Sequence, residues 1–341
     1  MKHSRLTLLS IVAATALTLS ACGGDSGELV EDPGAEGNNA NGGETGGAED
    51  GKYDIALVSK GFQHQFWQAV QSGAQEKADE LGVTITFDGP AAETEIDAQL
   101  QMLTSAIERQ PDAIGYAALD PEACVPLYER AEEAGIPIVE FDAGCDSDYA
   151  VNISKTDSLV AGALAGEHMA ELLDGQGKVG IVSHSQINST GVERRDGFVN
   201  FMEDGYPDIE IVDVQYGDGD HLKSADIAKT MLAAHPDMAG LYGTNEGSAI
   251  GIVNAITELG LEPGKVTVVG FDSGQAQIDA IKSGLMAGLV TQDPAGIGRY
   301  TVESAVKAIE GEDVEPVVDT GSFWVDSSNI DDEDIQAMLY E

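Results

Sequence analysis

Basic residues are scarce in this chain of 341 residues. It holds 17 Lys and Arg against 60 Asp and Glu, which gives a formal net charge of −43. The acid excess persists when the first 51 residues are set aside. Nucleic acids and anionic lipid surfaces are bound by clusters of Lys and Arg, so the composition excludes a polyanion binder. The acid excess favours a protein that stays soluble and unassociated, and we expect a monomer.

Long apolar runs are absent apart from one near the N-terminus. Residues 6–19 form an apolar run that is short for a membrane span, and they follow a basic stretch at 1–5, which is typical of an export signal. The next residues, Leu19-Ser20-Ala21-Cys22-Gly23, resemble a bacterial lipobox, in which the signal is cleaved before the cysteine and the thiol is acylated. We expect 1–22 to be a lipoprotein signal and Cys22 to anchor the protein at the extracytoplasmic face of the cell membrane. An ordinary secretory signal with a chance cysteine is the alternative.

Large apolar residues are nearly absent from 23–51, where Gly, Asn, Glu and Asp dominate. Such a segment cannot bury enough surface to offset its ordering entropy. We therefore predict a disordered acidic tether between the anchor and a folded body.

Cysteine is also scarce, with Cys124 and Cys145 the only two besides Cys22. There is no C-x-x-C and no pair of His on one helical turn, so we predict neither a metal site nor a cofactor. Cys124 and Cys145 each follow a predicted strand, and an exported protein meets conditions in which a disulfide persists. We expect the two to pair, and two free buried thiols are the alternative.

The rest of the chain alternates between strand and helix patterns. Strands are predicted over 53–59, 83–87, 113–117 and 136–141, and helices over 66–81, 95–109 and 121–134. The pattern then restarts, with helices over 158–173, 192–202, 222–234, 248–259 and 275–283, and strands over 178–183, 209–215, 240–243, 266–270 and 286–292. Repeated βαβ units imply parallel sheets, so we predict an α/β protein of two doubly wound lobes.

Polar and aromatic side chains follow the predicted strands. Ligands of open α/β sheets bind beyond the carboxyl ends of the strands, and the residues found there are Lys60, His64, Phe66, Trp67, Asp142, Asn245, Phe271, Asp272 and Gln292. This mixture suits a carbohydrate, whose hydroxyl groups need polar partners and whose C–H face packs on a ring. Purely structural roles are the alternative, with Phe66 and Trp67 in the hydrophobic core and Asp142 and Asp272 as N-caps of the helices that follow.

Five segments also resemble a known family. I-A-L-V-S-K-G-F-Q-H-Q-F-W, A-G-I-P-I-V-E-F-D, G-L-Y-G-T-N-E, V-V-G-F-D-S-G and L-V-T-Q-D-P-A-G-I-G are similar, in this order, to the ribose/galactose-type sugar-binding proteins of bacterial ABC importers. The resemblance implies the type I periplasmic binding protein fold, with a three-crossing hinge and a sugar clamped between the lobes. It places an N-terminal lobe at 52–154 plus 293–320 and a C-terminal lobe at 155–292 plus 321–341.

The resemblance also implies roles for individual residues. Stacking aromatics fall on Phe66, Trp67 and Phe271, carboxylates on Asp142 and Asp272, and amides on Asn245 and Gln292. This sequence departs from the ribose-binding pattern at three positions, where Ala143 and Val192 replace arginines and Gly219 replaces an aromatic residue. We expect Lys60 and His64 to supply the missing donors, and we expect Arg194, two positions after Val192, to bind the ligand as well.

Other classes of function fit less well. The sequence contains no G-x-S-x-G, G-x-x-x-x-G-K or H-E-x-x-H motif. Asp142 and Asp272 could in principle form the carboxylate pair of a glycosidase. This is disfavoured because the corresponding carboxylates in the sugar-binding proteins that the sequence resembles only accept hydrogen bonds. Sugar-responsive repressors share the core but carry a basic helix-turn-helix in front of it. We therefore expect a non-enzymatic protein that passes a monosaccharide or small polyol to an ABC permease; a sensor that presents its bound sugar to a membrane receptor is the alternative.

Overall fold

The structure is a computed structural model that describes residues 52–340. The predicted signal at 1–22, the predicted lipidation site Cys22 and the predicted tether at 23–51 lie outside the described residues and stay predictions. Between residues 52 and 340, no helix is long and apolar enough to cross a membrane.

The described chain alternates strands and helices, as the sequence pattern predicts. The first half contains β1 (Asp54–Val58), α1 (Gln65–Leu81), β2 (Thr84–Asp88), α2 (Ile96–Arg109), β3 (Ala113–Tyr116), α3 (Val125–Ala134), β4 (Ile138–Phe141) and β5 (Ile153–Lys155). The second half begins with α4 (Ser158–Leu172), β6 (Gly177–Ser183), α5 (Ser189–Gly205), β7 (Ile209–Tyr216), α6 (His221–Ala234), β8 (Met238–Gly243), α7 (Glu246–Glu258), β9 (Thr267–Phe271), α8 (Gln275–Lys282) and β10 (Gly288–Gln292). The last elements are α9 (Pro294–Glu310), β11 (Val317–Asp319), β12 (Ser322–Asp326) and α10 (Glu333–Gln336).

The strands form two six-stranded sheets. The first has the order β11-β5-β4-β3-β1-β2 and the second the order β12-β10-β9-β8-β6-β7. Neighbouring strands are parallel, except that β12 runs antiparallel to β10. In each sheet the order reverses beside one strand, β1 or β6, and such a switch point opens a crevice at the carboxyl ends of the strands.

The chain crosses between the two sheets three times, after β5, after β10 and after β11. Helix α4 packs on β9, β10 and β12, whereas α9 returns to pack on α1, β3 and β4. The first and third crossings are hydrogen-bonded: the Thr156 hydroxyl donates to the Gly321 carbonyl at 3.1 Å, and the Asp157 amide donates to the Asp319 carboxylate at 3.2 Å. The predicted fold of two doubly wound lobes with a three-crossing hinge is therefore confirmed. The exact lobe boundaries stay a prediction.

Helices cover both faces of each sheet, as the unbroken apolar composition of the strands requires. In β1, Ile55 and Leu57 pack against Val302 of α9, whereas Ala56 and Val58 point to the other face and join the cluster around Leu103 of α2. All four strand residues are at most 1% exposed.

Helices α1 and α9 pack so closely that glycine is required at their contact. A Cβ atom on Gly73 would lie 2.0 Å from the Ala295 carbonyl oxygen, and one on Gly298 would lie 2.1 Å from that of Val70. Both distances are shorter than any real contact. The two glycines therefore set the separation between α1, which leads from the site, and α9, which follows the second crossing.

The structure joins Cys124, just before α3, to Cys145, in the loop after β4, in a disulfide with a Cα–Cα distance of 6.0 Å. Beside it, the Glu140 carboxylate accepts hydrogen bonds from the Cys145 amide at 2.7 Å and from the Tyr128 hydroxyl at 2.9 Å. Burial raises the pKa of Glu140 to about 7, although both hydrogen bonds oppose the shift. Pairing of the cysteines in solution stays a prediction.

Candidate functional site

The carboxyl ends of strands from both sheets face one tightly closed cavity with about 10 Å³ of free space. Its wall is formed by Lys60, His64, Phe66, Trp67, Glu93, Asp142, His184, Arg194, Asn245, Asp272 and Gln292. Nine of the ten residues predicted as ligand-binding belong to this wall. A wider groove of about 430 Å³ lies beside the cavity and shares Glu93 and His184 with it.

The cavity is sealed between the two lobes. Lys60 and Asp142 of the first lobe are each 3% exposed, and Asp272 of the second is 4% exposed. At the rim, the Asn188 side chain of the second lobe donates a 2.8 Å hydrogen bond to the Ala118 carbonyl of the first. A molecule of sugar size can therefore enter or leave only when the lobes separate.

Two buried cations reach into the site. The Lys60 ammonium lies 2.7 Å from the Asp142 carboxylate and donates across the cleft to the Thr190 hydroxyl at 3.2 Å. The Arg194 guanidinium donates to the Thr244 carbonyl at 3.1 Å and lies 4.0 Å from Asp142. Lys60 is the donor predicted in place of a missing arginine, and Arg194 is a further residue predicted to bind the ligand.

Phe271 is the one predicted residue that the structure does not bring into the cavity wall. Its side chain is fully buried, and the Arg194 guanidinium covers its ring at 3.8 Å from the centroid. A cation over an aromatic face is a favourable contact that leaves this face unavailable to another partner. The stacking surface predicted on Phe271 is therefore occupied by Arg194.

Asp272 and Asp142 both adopt positive φ angles, 74° and 61°, which non-glycine residues rarely do. The Asp272 carboxylate accepts from the Gln292 amide at 2.7 Å and from the Glu246 backbone N–H at 2.9 Å. Burial raises its pKa, while Arg194 and these hydrogen bonds oppose the shift. Neither aspartate caps the helix after it, since Gly274 is the N-cap of α8 and β5 follows Asp142. The alternative role as caps is therefore excluded.

Phe66 and Trp67 serve both the cavity wall and the core. They are 5% and 1% exposed, contact each other edge to face at 4.9 Å, and share a cluster with Phe141. The indole N–H of Trp67 donates to Glu93 at 2.8 Å. Burial would raise the pKa of Glu93, but the nearby charges of Lys60 and His64 and this hydrogen bond hold it below its ordinary value. Glu93 is therefore a third carboxylate in the site.

His64 lies beside Gly219, the position at which the ribose-binding pattern has an aromatic residue. A Cβ atom on Gly219 would lie 3.3 Å from Nε2 of His64 and 3.2 Å from the Asn245 amide nitrogen. The Asn245 oxygen caps α7 by accepting from the Ser248 amide at 2.9 Å. Its amide nitrogen remains on the His64 side, 3.5 Å from Nε2. Asn245 therefore both caps α7 and belongs to the cavity wall.

The sequence interpretation missed two residues of the wall, Glu93 and His184. Glu93 lies in the loop after β2 and His184 directly follows β6, so the rule that site residues follow strands applied to both of them. His184 contacts the hydroxyls of Thr244 at 2.8 Å and Thr190 at 3.2 Å. Burial, with the charge of Arg194, holds the pKa of His184 well below its ordinary value, so its imidazole is neutral.

Four wall residues have a buried polar atom without a hydrogen-bond partner among residues 52–340: Nδ1 of His64, Oδ2 of Asp142, Nε of Arg194 and Oε1 of Gln292. Of these, Oδ2 of Asp142 is in ionic contact with the Lys60 ammonium. Together the four atoms offer donors and acceptors, and unsatisfied buried groups of this kind are costly. The described part of the chain holds no group of three His, Cys, Asp or Glu side chains arranged for a metal. The wall is therefore suited to a polar, uncharged molecule that both donates and accepts hydrogen bonds.

Comparison with known proteins agrees with this geometry. The model of the periplasmic binding protein domain matches residues 55–313. The D-allose-binding periplasmic protein of Escherichia coli is 28% identical over 275 residues, covering 77% of this chain and 87% of that protein. An ABC transporter solute-binding protein from Agrobacterium vitis, solved with bound D-fucose, is 33% identical with a TM-score of 0.81, covering 84% of this chain and all of the other.

A carbohydrate transporter solute-binding protein from Agrobacterium radiobacter, in complex with D-arabinose, is 31% identical with a TM-score of 0.81, covering 84% of this chain and 98% of the other. These relatives are binding proteins rather than enzymes, in agreement with the sequence interpretation. The domain match spans most of the chain, and the sealed cavity lies between its two lobes. The chain therefore belongs to the periplasmic binding protein family.

Proposed function

We propose that this protein is an extracytoplasmic lipoprotein that binds a monosaccharide or a similar small polyol between its lobes and delivers it to an ABC permease. The observation that carries the proposal is the sealed cavity, in which carboxylates, cations, amides and aromatic rings converge. In this closed arrangement the free space inside the wall is only about 10 Å³, so a sugar ring is accommodated only when the lobes move apart.

The chemistry of the wall favours a neutral ligand with many hydroxyl groups. Asp142, Asp272 and Glu93 offer acceptors, and Lys60 and Arg194 offer donors. A hydroxyl group both donates and accepts, so one polyol can satisfy both kinds of partner. Hydrogen bonds to charged groups contribute about 1.5–3 kcal/mol each, which makes several such contacts sufficient for tight binding.

The aromatic side of the site would contact the apolar face of the ring. Phe66 and Trp67 present two rings at 87° to each other, so one pyranose or furanose can pack against both of them. Trp67 is held in orientation by its hydrogen bond to Glu93. We propose that Glu93 and His184, besides the residues predicted from sequence, contact the ligand.

Capture and delivery follow from the lobe arrangement. A ligand that touches both lobes binds the closed form better than the open form, and this difference in affinity shifts the hinge equilibrium. The closed surface is then what a permease recognises, and opening against the permease releases the sugar. Acylation of Cys22 would keep the protein, as a monomer, close to that permease.

The experiment that tests the proposal is a thermal-shift screen of the full chain against pentoses, hexoses and polyols. The panel includes D-allose, D-fucose and D-arabinose, which the relatives bind, and amino acids serve as the matched non-sugar set. A sugar present at about 100 times its dissociation constant stabilises the folded state by about 2.7 kcal/mol, which raises Tm by several degrees. If no sugar or polyol raises Tm, the proposed ligand class is wrong.

A further inference from the structure

The first turn of a helix leaves backbone N–H groups without partners inside the helix, and a side-chain oxygen at the N-cap usually satisfies one of them. Among residues 52–340, five helices are capped in this way, by Asp157, Asn188, Asp220, Asn245 and Asp293. The N-cap residues of α2, α3 and α10 make no such bond, and neither do those of α1 and α8. The N-caps of α1 and α8 are His64 and Gly274.

The partner of α1 comes from the other lobe. Glu246, the first residue of α7, accepts from the Gln65 amide at 3.2 Å with Oε1 and from the Phe66 amide at 3.3 Å with Oε2. Its side chain is 4% exposed and is absent from the wall of the sugar cavity. A carboxylate at a helix N-terminus also interacts favourably with the helix dipole.

The partner of α8 comes from the first lobe in turn. The Gln65 side-chain oxygen accepts from the Gln275 amide at 2.8 Å. Gly274 leaves room for this contact, because a Cβ atom there would lie 2.8 Å from the same Gln65 oxygen and 3.2 Å from the Glu246 carboxyl carbon. Each lobe therefore caps a helix of the other.

We propose that these reciprocal caps form a latch that stabilises the closed arrangement of the lobes independently of the ligand. Glu246 and Gln65 are its positioning residues: they touch each other's lobe rather than the sugar, and they set how much of the protein is closed. When the lobes separate, the amides of Gln65, Phe66 and Gln275 lose their partners together. The latch proposal depends on the proposed function in one respect: closure of the lobes is taken to retain a ligand.

The latch is also connected to the ligand site. The Glu246 backbone N–H donates to Asp272, so the residue that caps α1 also holds a carboxylate of the cavity wall. Removing the Glu246 side chain leaves this backbone contact possible. The same change removes a carboxylate that lies 4.0 Å from Nδ1 of His64 in the wall, so a second variant that keeps the Glu246 side chain is needed to separate closure from this direct effect.

The test measures hydrogen exchange at single amides of the full chain, without sugar, at pH 8. Burial and the neighbouring charge of Asp272 raise the pKa of Glu246 to about 7, so its carboxylate is ionised at this pH. In Glu246→Ala we expect exchange to accelerate about tenfold or more at Gln65 and Phe66, and also at Gln275, which Glu246 does not touch. Gln65→Ala should accelerate exchange across the cleft at Gln275 and also at Phe66, whose amide bonds to Glu246 rather than to Gln65.

The matched control is Glu258→Ala, at the opposite end of α7, where Glu258 pairs with Lys229 at 2.9 Å on the surface. It should leave all three amides unchanged. Gly274→Ala is a second route to the same effect, because φ at this position is −65° and suits any residue. Its added methyl group should displace the Gln65 side chain and accelerate exchange at Gln275 and Phe66 without removing a polar group.

One contrary result in Glu246→Ala is faster exchange only at Gln65 and Phe66, while Gln275 stays as protected as in the wild type. This result would show that the two helices are capped independently of each other, and it would overturn the latch. If Glu246→Ala loses protection throughout the core, Gly274→Ala decides the matter, and normal protection of all three amides there overturns the proposal. No sugar is present, so the outcome is independent of the thermal-shift screen. A protein that binds no sugar can still show the latch, and a sugar-binding protein can lack it.

Discussion

Replacing Asp272 by asparagine should weaken sugar binding about a hundredfold. An ionised carboxylate has roughly four sites at which it accepts hydrogen bonds. The Gln292 amide and the Glu246 backbone N–H occupy two of them, which leaves about two for hydroxyl groups of the ligand. At about 1.5 kcal/mol for each bond to a charged acceptor, their loss amounts to about 3 kcal/mol, or two factors of ten in Kd.

Asparagine is the appropriate replacement because φ at Asp272 is 74°, a conformation that asparagine tolerates better than alanine. The amide cannot reproduce the carboxylate's contacts, since both oxygens of Asp272 face N–H donors and an NH₂ group would bring two donors together. The charge-assisted bonds to the ligand are therefore lost although the side-chain shape is kept.

The assay is titration calorimetry at constant pH with the sugar that gives the largest thermal shift. Asp279→Asn is the matched control: Asp279 is exposed on α8, and its carboxylate accepts a hydrogen bond from the Gln275 side chain at 2.9 Å, so its replacement should leave Kd unchanged. Thermal unfolding without sugar shows whether each variant is folded. A folded Asp272→Asn protein that binds as tightly as the wild type would refute the role assigned to this carboxylate.

Three further predictions concern other parts of the chain. Replacing both Cys124 and Cys145 by serine should lower the free energy of unfolding by about 3 kcal/mol, because the bridge closes a loop with a sequence separation of 21, and chemical denaturation measures the loss. Glu140→Gln should raise Tm at pH 8 relative to the wild type and flatten the dependence of Tm on pH between 4.5 and 8. Cys22→Ser should move the protein from the membrane fraction to the soluble fraction without changing sugar affinity, as fractionation and calorimetry will show.

The sign of the Glu140 effect follows from its pKa. The folded protein raises this pKa from 4.5 to about 7, so the folded state binds the proton more tightly than the unfolded state. The contribution to stability is fully present below pH 4.5 and is lost as the pH rises through 7, on the order of 3 kcal/mol in total. A variant whose pH profile runs parallel to that of the wild type would contradict this assignment.

The predictions for the disulfide and for Cys22 can each be contradicted by a single measurement. Alkylation of two thiols in the unreduced protein, read by intact mass for Cys124 and Cys145, would show that the pair is not bonded. Retention of Cys22→Ser in the membrane fraction would show that another part of the chain holds the protein there.

The sequence alone determined the alternation of strands and helices and the positions of most site residues. Strands buried on both faces appear as short apolar runs, and helices that pack on a sheet show a 3.6-residue period. Both signals are local in the chain. The residues that follow such strands, including Lys60, Asn245 and Asp272, must meet at one edge of a parallel sheet, so their convergence could be predicted without coordinates of any atom.

Elements that depend on distant partners were not predicted. β5 and β11 have three residues each and form because they pair with each other at the sheet edge. α9 contains Gly296 and Gly298, which disfavour a helix in isolation. Their lack of a Cβ is what lets neighbouring groups approach: Gly298 contacts α1, and Gly296 lies against the capping carboxylate of Asp293. Packing that no local pattern encodes therefore outweighs the intrinsic preference of this segment.

Only the tertiary structure decided the direction of individual side chains. Arg194 could point to solvent or into the cleft, and packing places it on the ring of Phe271, which removes that ring from the cavity wall. Glu246 caps α1 only because the lobes meet, although the two residues it contacts lie about 180 positions away in the chain. Such contacts join side chains and backbone groups whose relative placement depends on the whole fold, and no short stretch of sequence records them.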